Sequence, residues 1–229
     1  MGYGGAARAG TMRFALTDDQ IAFRDAVREL LAKEPPGAPA TYDALVAMGV
    51  LSILVPESDG GLGMDEVAMV AILEETGYVA LEHPILTDTM GGDPDRLALG
   101  AAAQLVGLGQ RMLDMTVEYV QQREQFGVPI GSFQAVKHHL ADALKELAFA
   151  RPTVHRAAAT MDPRDISMAK AMASDAARFS GRQALQCHGA IGYTVEHDLH
   201  RYLQQTWTLA RTHGDAAWHR ERLATALEI

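Results

Sequence analysis

Nine histidines and one cysteine carry most of the versatile chemistry available to this 229-residue chain. His138 and His139 are adjacent, so on a helix they point about 100° apart and cannot share one metal ion. His197 and His200 are three residues apart and share a helix face, with Glu196 and Asp198 nearby. A di-iron carboxylate bundle needs a Glu-x-x-His pair on each of two helices, and no such pair recurs here. No metal site is expected. Glu34-Pro35-Pro36-Gly37 and Asp59-Gly60-Gly61-Leu62-Gly63 are rich in Gly or Pro. Neither has the Gly-Lys-Ser/Thr ending that lets a loop cradle phosphate. Cys187 stands beside His188. Neighbours in sequence at a helix end do not face each other as nucleophile and base, so Cys187 is expected to be a small buried thiol.

The bulk composition excludes several partners. Twenty basic residues against 29 acidic ones give a formal charge of −9. Surfaces that bind nucleic acid or anionic membranes need an excess of Lys and Arg, so neither partner is expected. No run approaches 18 uninterrupted apolar residues, so no membrane-spanning helix is expected. A lone cysteine excludes an intramolecular disulfide framework. Residues 1–11 are rich in Gly and Ala and lack the apolar core of a signal peptide. They are expected to form a disordered leader, with Met12 as an alternative start. A cytoplasmic location is the resulting expectation.

The elements that would position any site are helical. Ala occurs 38 times, β-branched residues are sparse, and long segments repeat with a 3.6-residue period, which predicts an all-α fold. Thr17-Asp18-Asp19-Gln20 has the capping-box pattern, with Leu16 and Ile21 placed as a hydrophobic staple. That first helix must end before Pro35-Pro36. A second is expected over about 42–48, closed by Gly49, and a third over about 65–76, stopped by Gly77. Residues 81–95 are predicted to be a connector. Asp93-Pro94 then opens a long helix to about Gln122, whose interior Gly100, Gly107 and Gly109 imply close helix–helix approach. Arg123–Gly131 is a predicted loop, and Ser132 should cap a helix over about 133–160 with Pro152 as a kink. Helices over about 165–187 and 196–211 complete the pattern. The expected organisation is a leader at 1–11, an N-terminal helical domain at 12–92, and an antiparallel four-helix bundle at 93–229.

Two segments say more than their composition. Arg123-Glu124-Gln125-Phe126-Gly127-Val128-Pro129-Ile130-Gly131-Ser132-Phe133-Gln134, followed by Val136-Lys137-His138 and Leu140-Ala141-Asp142, closely resembles the C-terminal domain of acyl-CoA dehydrogenases. So does Gln186-Cys187-His188-Gly189-Ala190-Ile191-Gly192-Tyr193-Thr194-Val195-Glu196-His197. Met48-Gly49, Val55-Pro56-Glu57 and Gly60-Gly61-Leu62-Gly63 are similar to that family's N-terminal helical domain. Gly214-Asp215-Ala216-Ala217-Trp218-His219-Arg220 is most similar to the actinobacterial branch that handles bulky, often steroid-derived, acyl-CoAs. The resemblance implies an oxidoreductase of lipid metabolism that oxidises the α–β bond of an acyl-CoA. In the family a carboxylate takes the α-proton and FAD takes the hydride. The resemblance places Arg123 on the FAD pyrophosphate of a neighbouring subunit, where Arg geometry suits a charge-assisted contact. It likewise makes Gln125, Phe126 and Gln134 cofactor contacts, and puts Gln186 and Gly189 at the turn that meets the ADP part of FAD.

Two departures set this chain apart. The family places a β-barrel-like domain between its helical halves, yet here the chain passes from His83–Thr89 almost directly to Asp93-Pro94. That domain covers the flavin ring and part of the acyl-CoA. The family's base positions also lack a carboxylate: one aligns with His213, followed by Gly214, and the other with Ala98. Asp95 and Asp215 are close in sequence but out of register. A base must be in place before its pKa matters. His213 can serve as one, because imidazole titrates near neutral pH. The resemblance thus implies a shortened flavoprotein subunit, homo-oligomeric or paired with a full-length acyl-CoA dehydrogenase homologue that bears the base, with FAD shared or lost. The alternatives are a flavin-free enzyme using His213 for isomerisation or elimination, and a non-enzymatic helical scaffold.

Overall fold

A computed structural model describes residues 15–228, so the expected leader at 1–11 lies outside them. The described residues are almost wholly helical, as the alanine-rich periodicity requires. Helix α1 (Asp18–Lys33) opens with the capping box formed: Thr17 accepts from the Gln20 amide, and Gln20 reaches back to the Thr17 amide. Helix α2 (Pro39–Ala47) starts earlier than the periodicity indicated, because Pro39 presets the first helical turn. Gly49, left-handed at φ 85°, follows it and leads into a 3-10 turn over Val50–Ser52.

Helix α3 (Glu66–Tyr78) does not stop at Gly77. A Cβ at Gly77 would stand 2.2 Å from the carbonyl oxygen of Gln104, and one at Gly107 would stand 2.0 Å from that of Glu74. These glycines are contact points where two backbones touch, so Gly77 is needed inside the helix rather than as its cap. The segment expected to be only a connector holds a short helix, α4 (Ile85–Met90). Its capping residue is Pro84, which the proline-rich appearance of the segment concealed.

Helix α5 (Pro94–Gln122) is the axis of the fold. Asp93 caps it, accepting from the amides of Asp95 and Arg96. Only residues 91–93 separate α4 from α5. A two-residue hairpin, β1 (Glu124–Gln125) and β2 (Val128–Pro129), follows. Ser132 is not the cap of the next helix: its hydroxyl donates to the Pro129 carbonyl at 2.7 Å within a 3-10 turn. Helix α6 (Gln134–Thr160) runs on through Pro152. Helix α7 (Pro163–His188) is capped by Asp162. The expected last helix over 196–211 is shorter, α8 (Leu199–Leu209), and a further helix, α9 (Ala216–Ala226), follows it. Asp215 caps α9 through the Trp218 amide at 2.8 Å.

Helices α5 and α7 run in the same sense, and α6 and α8 return alongside them. Tyr119 near the end of α5 accordingly stacks on His188 at the end of α7, ring centroids 4.4 Å apart. One hydrophobic cluster takes Val27 and Leu31 from α1, Ile72 and Leu73 from α3, and Leu105, Leu147 and Ala173 from the bundle. The N-terminal helices and the bundle therefore share a core.

Candidate functional site

The residues singled out by sequence gather at two places on the bundle. At the first, α5 ends in the hairpin that carries Arg123, Gln125 and Phe126. All three side chains are exposed, and Phe126 is 93% exposed, leaning edge-on against Phe133. Among the described residues Arg123 forms no ion pair, so its guanidinium is available to an anion. The Tyr119–His188 stack holds the end of α7 beside this hairpin. His188 is buried, gives its Nδ1 to the Ala184 carbonyl at 2.8 Å, and has His197 against its face at 4.6 Å. Burial pushes its imidazole below the ordinary histidine value, so it stays neutral at pH 7. On either side of this packed imidazole, Gln186 and Gly189 face solvent. Gly189 has φ 63°, and a Cβ there would meet no atom within 4 Å. The backbone is thus open to close approach by a ligand. Tyr193 and Val195, 77% and 82% exposed, extend the same end as an apolar surface. Gln134 lies just beyond the hairpin, exposed, with its amide spent on His138 at 2.9 Å.

The second place is the opposite end of α5. A cavity of about 440 Å³ is lined by Pro94, Asp95, Leu97 and Ala98 from the start of α5, by His213 and Gly214, and by Trp218, His219 and Arg222 of α9. His213 and Ala98, far apart in sequence, thus line one cavity. Asp95 lines it too, but its carboxylate is held by both Arg222 nitrogens, at 2.5 and 3.0 Å. The Asp95 carboxylate is thus committed to an ion pair within the chain. His213 is half-buried, and burial together with the Lys170 ammonium keeps its imidazole below the ordinary value.

Two buried groups at this cavity, Lys170 and His219, were given no role by the sequence. Lys170 of α7 is fully buried, donating to the Gly214 carbonyl at 2.9 Å and to Ser174 Oγ at 3.3 Å. Burial pushes its ammonium down to about 8. His219, also fully buried, bridges Ser167 Oγ at 3.2 Å and the His213 carbonyl at 3.0 Å. Lys170 had a signal of its own, being a charged residue on the apolar stripe of α7. Among the described residues no group of three or more His, Cys, Asp or Glu is placed to hold a metal ion. No helix there is long and apolar enough to cross a membrane. Cys187 is a buried free thiol, raised above its ordinary pKa by burial.

Comparison with known proteins decides what fold this is. The family model of the acyl-CoA dehydrogenase C-terminal domain matches residues 94–228, and that of the N-terminal domain matches residues 17–104. The chain belongs to the acyl-CoA dehydrogenase family. The two matches overlap along α5, which leaves no room between them for the β-domain expected in that family. Acyl-CoA dehydrogenase IpdE2 of Mycolicibacterium smegmatis is 40% identical over 147 residues, covering 63% of this chain and 45% of that protein. The chain thus matches about half the length of this relative. Among solved structures, a glutaryl-coenzyme A dehydrogenase complex superposes with TM-score 0.85 at 18% identity, covering 94% of this chain and 96% of the other. The ChsE4–ChsE5 complex from Mycobacterium tuberculosis gives 0.82 at 19% identity, covering 94% and 99%. As an acyl-CoA dehydrogenase fold, this chain keeps both helical parts and joins them by three residues.

Proposed function

We propose that this chain is a shortened acyl-CoA dehydrogenase subunit that works beside a complete, base-bearing homologue. In that role it presents the Arg123–Gln186 end to a flavin seated mainly in the partner. The observation that carries this reading is a separation. Gln122 and Ala98 lie 24 residues apart on one helix, which at 1.5 Å per residue places the two ends of the bundle about 36 Å apart. One flavin cannot bridge that distance, so the exposed end and the cavity of one chain serve different molecules of cofactor. The unpaired Arg123, the exposed ring of Phe126 and the open backbone at Gly189 fit the phosphate and adenosine portions of FAD. When bound, FAD supplies hydride acceptance; this chain's own residues bind and orient it. The cavity at Ala98 and His213 has no free carboxylate, which supports assigning proton abstraction from an acyl-CoA to the partner. One similar solved structure is a complex of two different chains, ChsE4 and ChsE5, and another is a Tcur3481–Tcur3483 steroid acyl-CoA dehydrogenase. These neighbours support a hetero-oligomer and a bulky, steroid- or lipid-derived acyl group.

Co-expression with a full-length homologue encoded nearby tests the proposal. The two chains should co-purify, flavin absorbance should depend on this chain, and Arg123→Ala should lower flavin occupancy without separating the chains. Failure to associate, with flavin content indifferent to this chain, refutes it. A second reading has its own support: the neutral, half-buried His213 at the cavity is competent to accept a proton. It predicts that the purified, colourless chain turns over an acyl thioester and that His213→Ala abolishes this.

A further inference from the structure

The segment between α8 and α9 is held in an unusual way. His213 and Gly214 are consecutive left-handed residues, at φ 58° and 87°. Such a φ is disfavoured for a side chain with a Cβ, so something outside the loop must hold His213 there. Two buried donors from two different helices do so. Lys170 Nζ, from α7, donates to the Gly214 carbonyl at 2.9 Å. His219 Nε2, from α9, lies 3.0 Å from the His213 carbonyl. A carbonyl only accepts, so Nε2 carries the proton, and Nδ1 is left to accept from the Ser167 hydroxyl at 3.2 Å. Ser167 thereby fixes the tautomer that the His213 carbonyl needs.

Neither donor is explained by stability alone. Lys170 is fully buried and forms no ion pair among the described residues. The anion felt by its ammonium is Asp215, whose carboxylate is already committed to the Trp218 amide. A desolvated ammonium with so little compensation is a cost to the fold. Gly214 cannot be replaced either, since a Cβ there would stand 2.7 Å from both His219 Nε2 and Trp218 Cε3.

We propose that Lys170 and His219 are positioning residues, a pair of carbonyl clamps that fix the His213–Gly214 turn and so hold the side chain of residue 213 at the rim of the Ala98 cavity. The proposal deepens the proton-transfer reading of His213. Its readout, the titration of one imidazole, needs no turnover, so either can fail while the other stands.

The test is NMR titration of His213 with amide hydrogen exchange in wild type, His219→Leu, His219→Gln and Lys170→Met. In wild type, His213 titrates below the ordinary value of about 6.5. His219→Leu removes a neutral donor and changes no charge. It should release the turn, move His213 up toward that value, and speed exchange of the Trp218 amide, which donates to Asp215 Oδ1 just after the turn, while core amides such as that of Leu108 stay protected. His219→Gln restores a donor and should return both readouts to wild type. Lys170→Met should speed the same amide exchange from the other side, which keeps the proposal falsifiable should a His219 variant not fold; its His213 titration is not a readout, because the variant also removes the neighbouring ammonium. Unchanged titration in His219→Leu, or unchanged exchange in both His219→Leu and Lys170→Met, would overturn it. So would loss of protection spread evenly through the bundle, which marks a merely structural role.

Discussion

Lys170 offers a stability experiment whose sign follows from its burial. Its ammonium falls from 10.5 in the unfolded chain to about 8 in the folded one. That difference is worth about 3 kcal/mol of penalty on the charged form. Below pH 8 both states hold the proton and the folded state bears the full penalty. Between pH 8 and 10.5 the folded state releases its proton while the unfolded state keeps it, so this group makes stability rise with pH across that window. Lys170→Met removes the penalty but leaves the Gly214 carbonyl and Ser174 without their donor, a loss of about 1–3 kcal/mol. At pH 7 the two effects nearly cancel, and the variant should lie within about 2 kcal/mol of wild type, on the more stable side. Urea denaturation of both proteins at pH 7 and pH 10 measures the difference. Tyrosines and Cys187 titrate equally in both proteins, so the gap between them isolates Lys170. Wild type should gain on the variant by about 2–3 kcal/mol from the lower pH to the higher. A gap that stays constant with pH refutes the assignment of a desolvated, charged lysine.

Gly107→Ala should destabilise by about 1–3 kcal/mol, because the added methyl meets the Glu74 carbonyl, a backbone atom that cannot move without separating α3 from α5. Gly181→Ala is the control, since the added methyl meets only the end of the Leu203 side chain at 2.8 Å, and denaturant midpoints should rank it clearly above Gly107→Ala. His213→Glu places a carboxylate at the cavity within the field of Lys170. It should raise the Lys170 titration, and it should let the co-expressed complex bleach bound flavin on a saturated acyl-CoA at this second cavity. Titration and bleaching unchanged by His213→Glu would show that residue 213 does not face the cavity.

Helices were legible wherever the determinants are local. The capping box at Thr17 and the Asp93-Pro94 start of α5 are decided within four residues, so spacing alone exposed them. Gly77 misled because a glycine that ends a helix and a glycine that admits a neighbouring backbone look alike until the neighbour is known. Helix α4 was hidden by its prolines. Helix α9 follows a Gly-Asp pair that read as motif rather than cap. The site divided in the same manner. Arg123, Gln125, Phe126, Gln186 and Gly189 stood in two contiguous motifs, and the structure places those motifs side by side. Lys170 and Ser167 belong to no motif, and His219 stood in one that gave it no role; they act on residue 213 across 43, 46 and 6 positions of chain, through contacts that only folding creates.

The two ends of α5 bear differently on what this chain can do. At the hairpin end the side chains of Arg123, Gln125 and Gln186 are exposed, and among the described residues Arg123 forms no ion pair. At the cavity end the groups are mutually satisfied: Asp95 by Arg222, the His213 carbonyl by His219, and the Gly214 carbonyl by Lys170. An open, unsatisfied surface is what a binding face looks like before its partner arrives, because polar groups without internal partners remain hydrated until a ligand replaces the water. A cavity whose polar groups are mutually satisfied, with a neutral imidazole at its rim, is instead preorganised within the chain itself. In the proposed role, dependence on a partner should therefore lie in flavin retention, whereas the geometry at residue 213 should be the same in the isolated chain and in a complex.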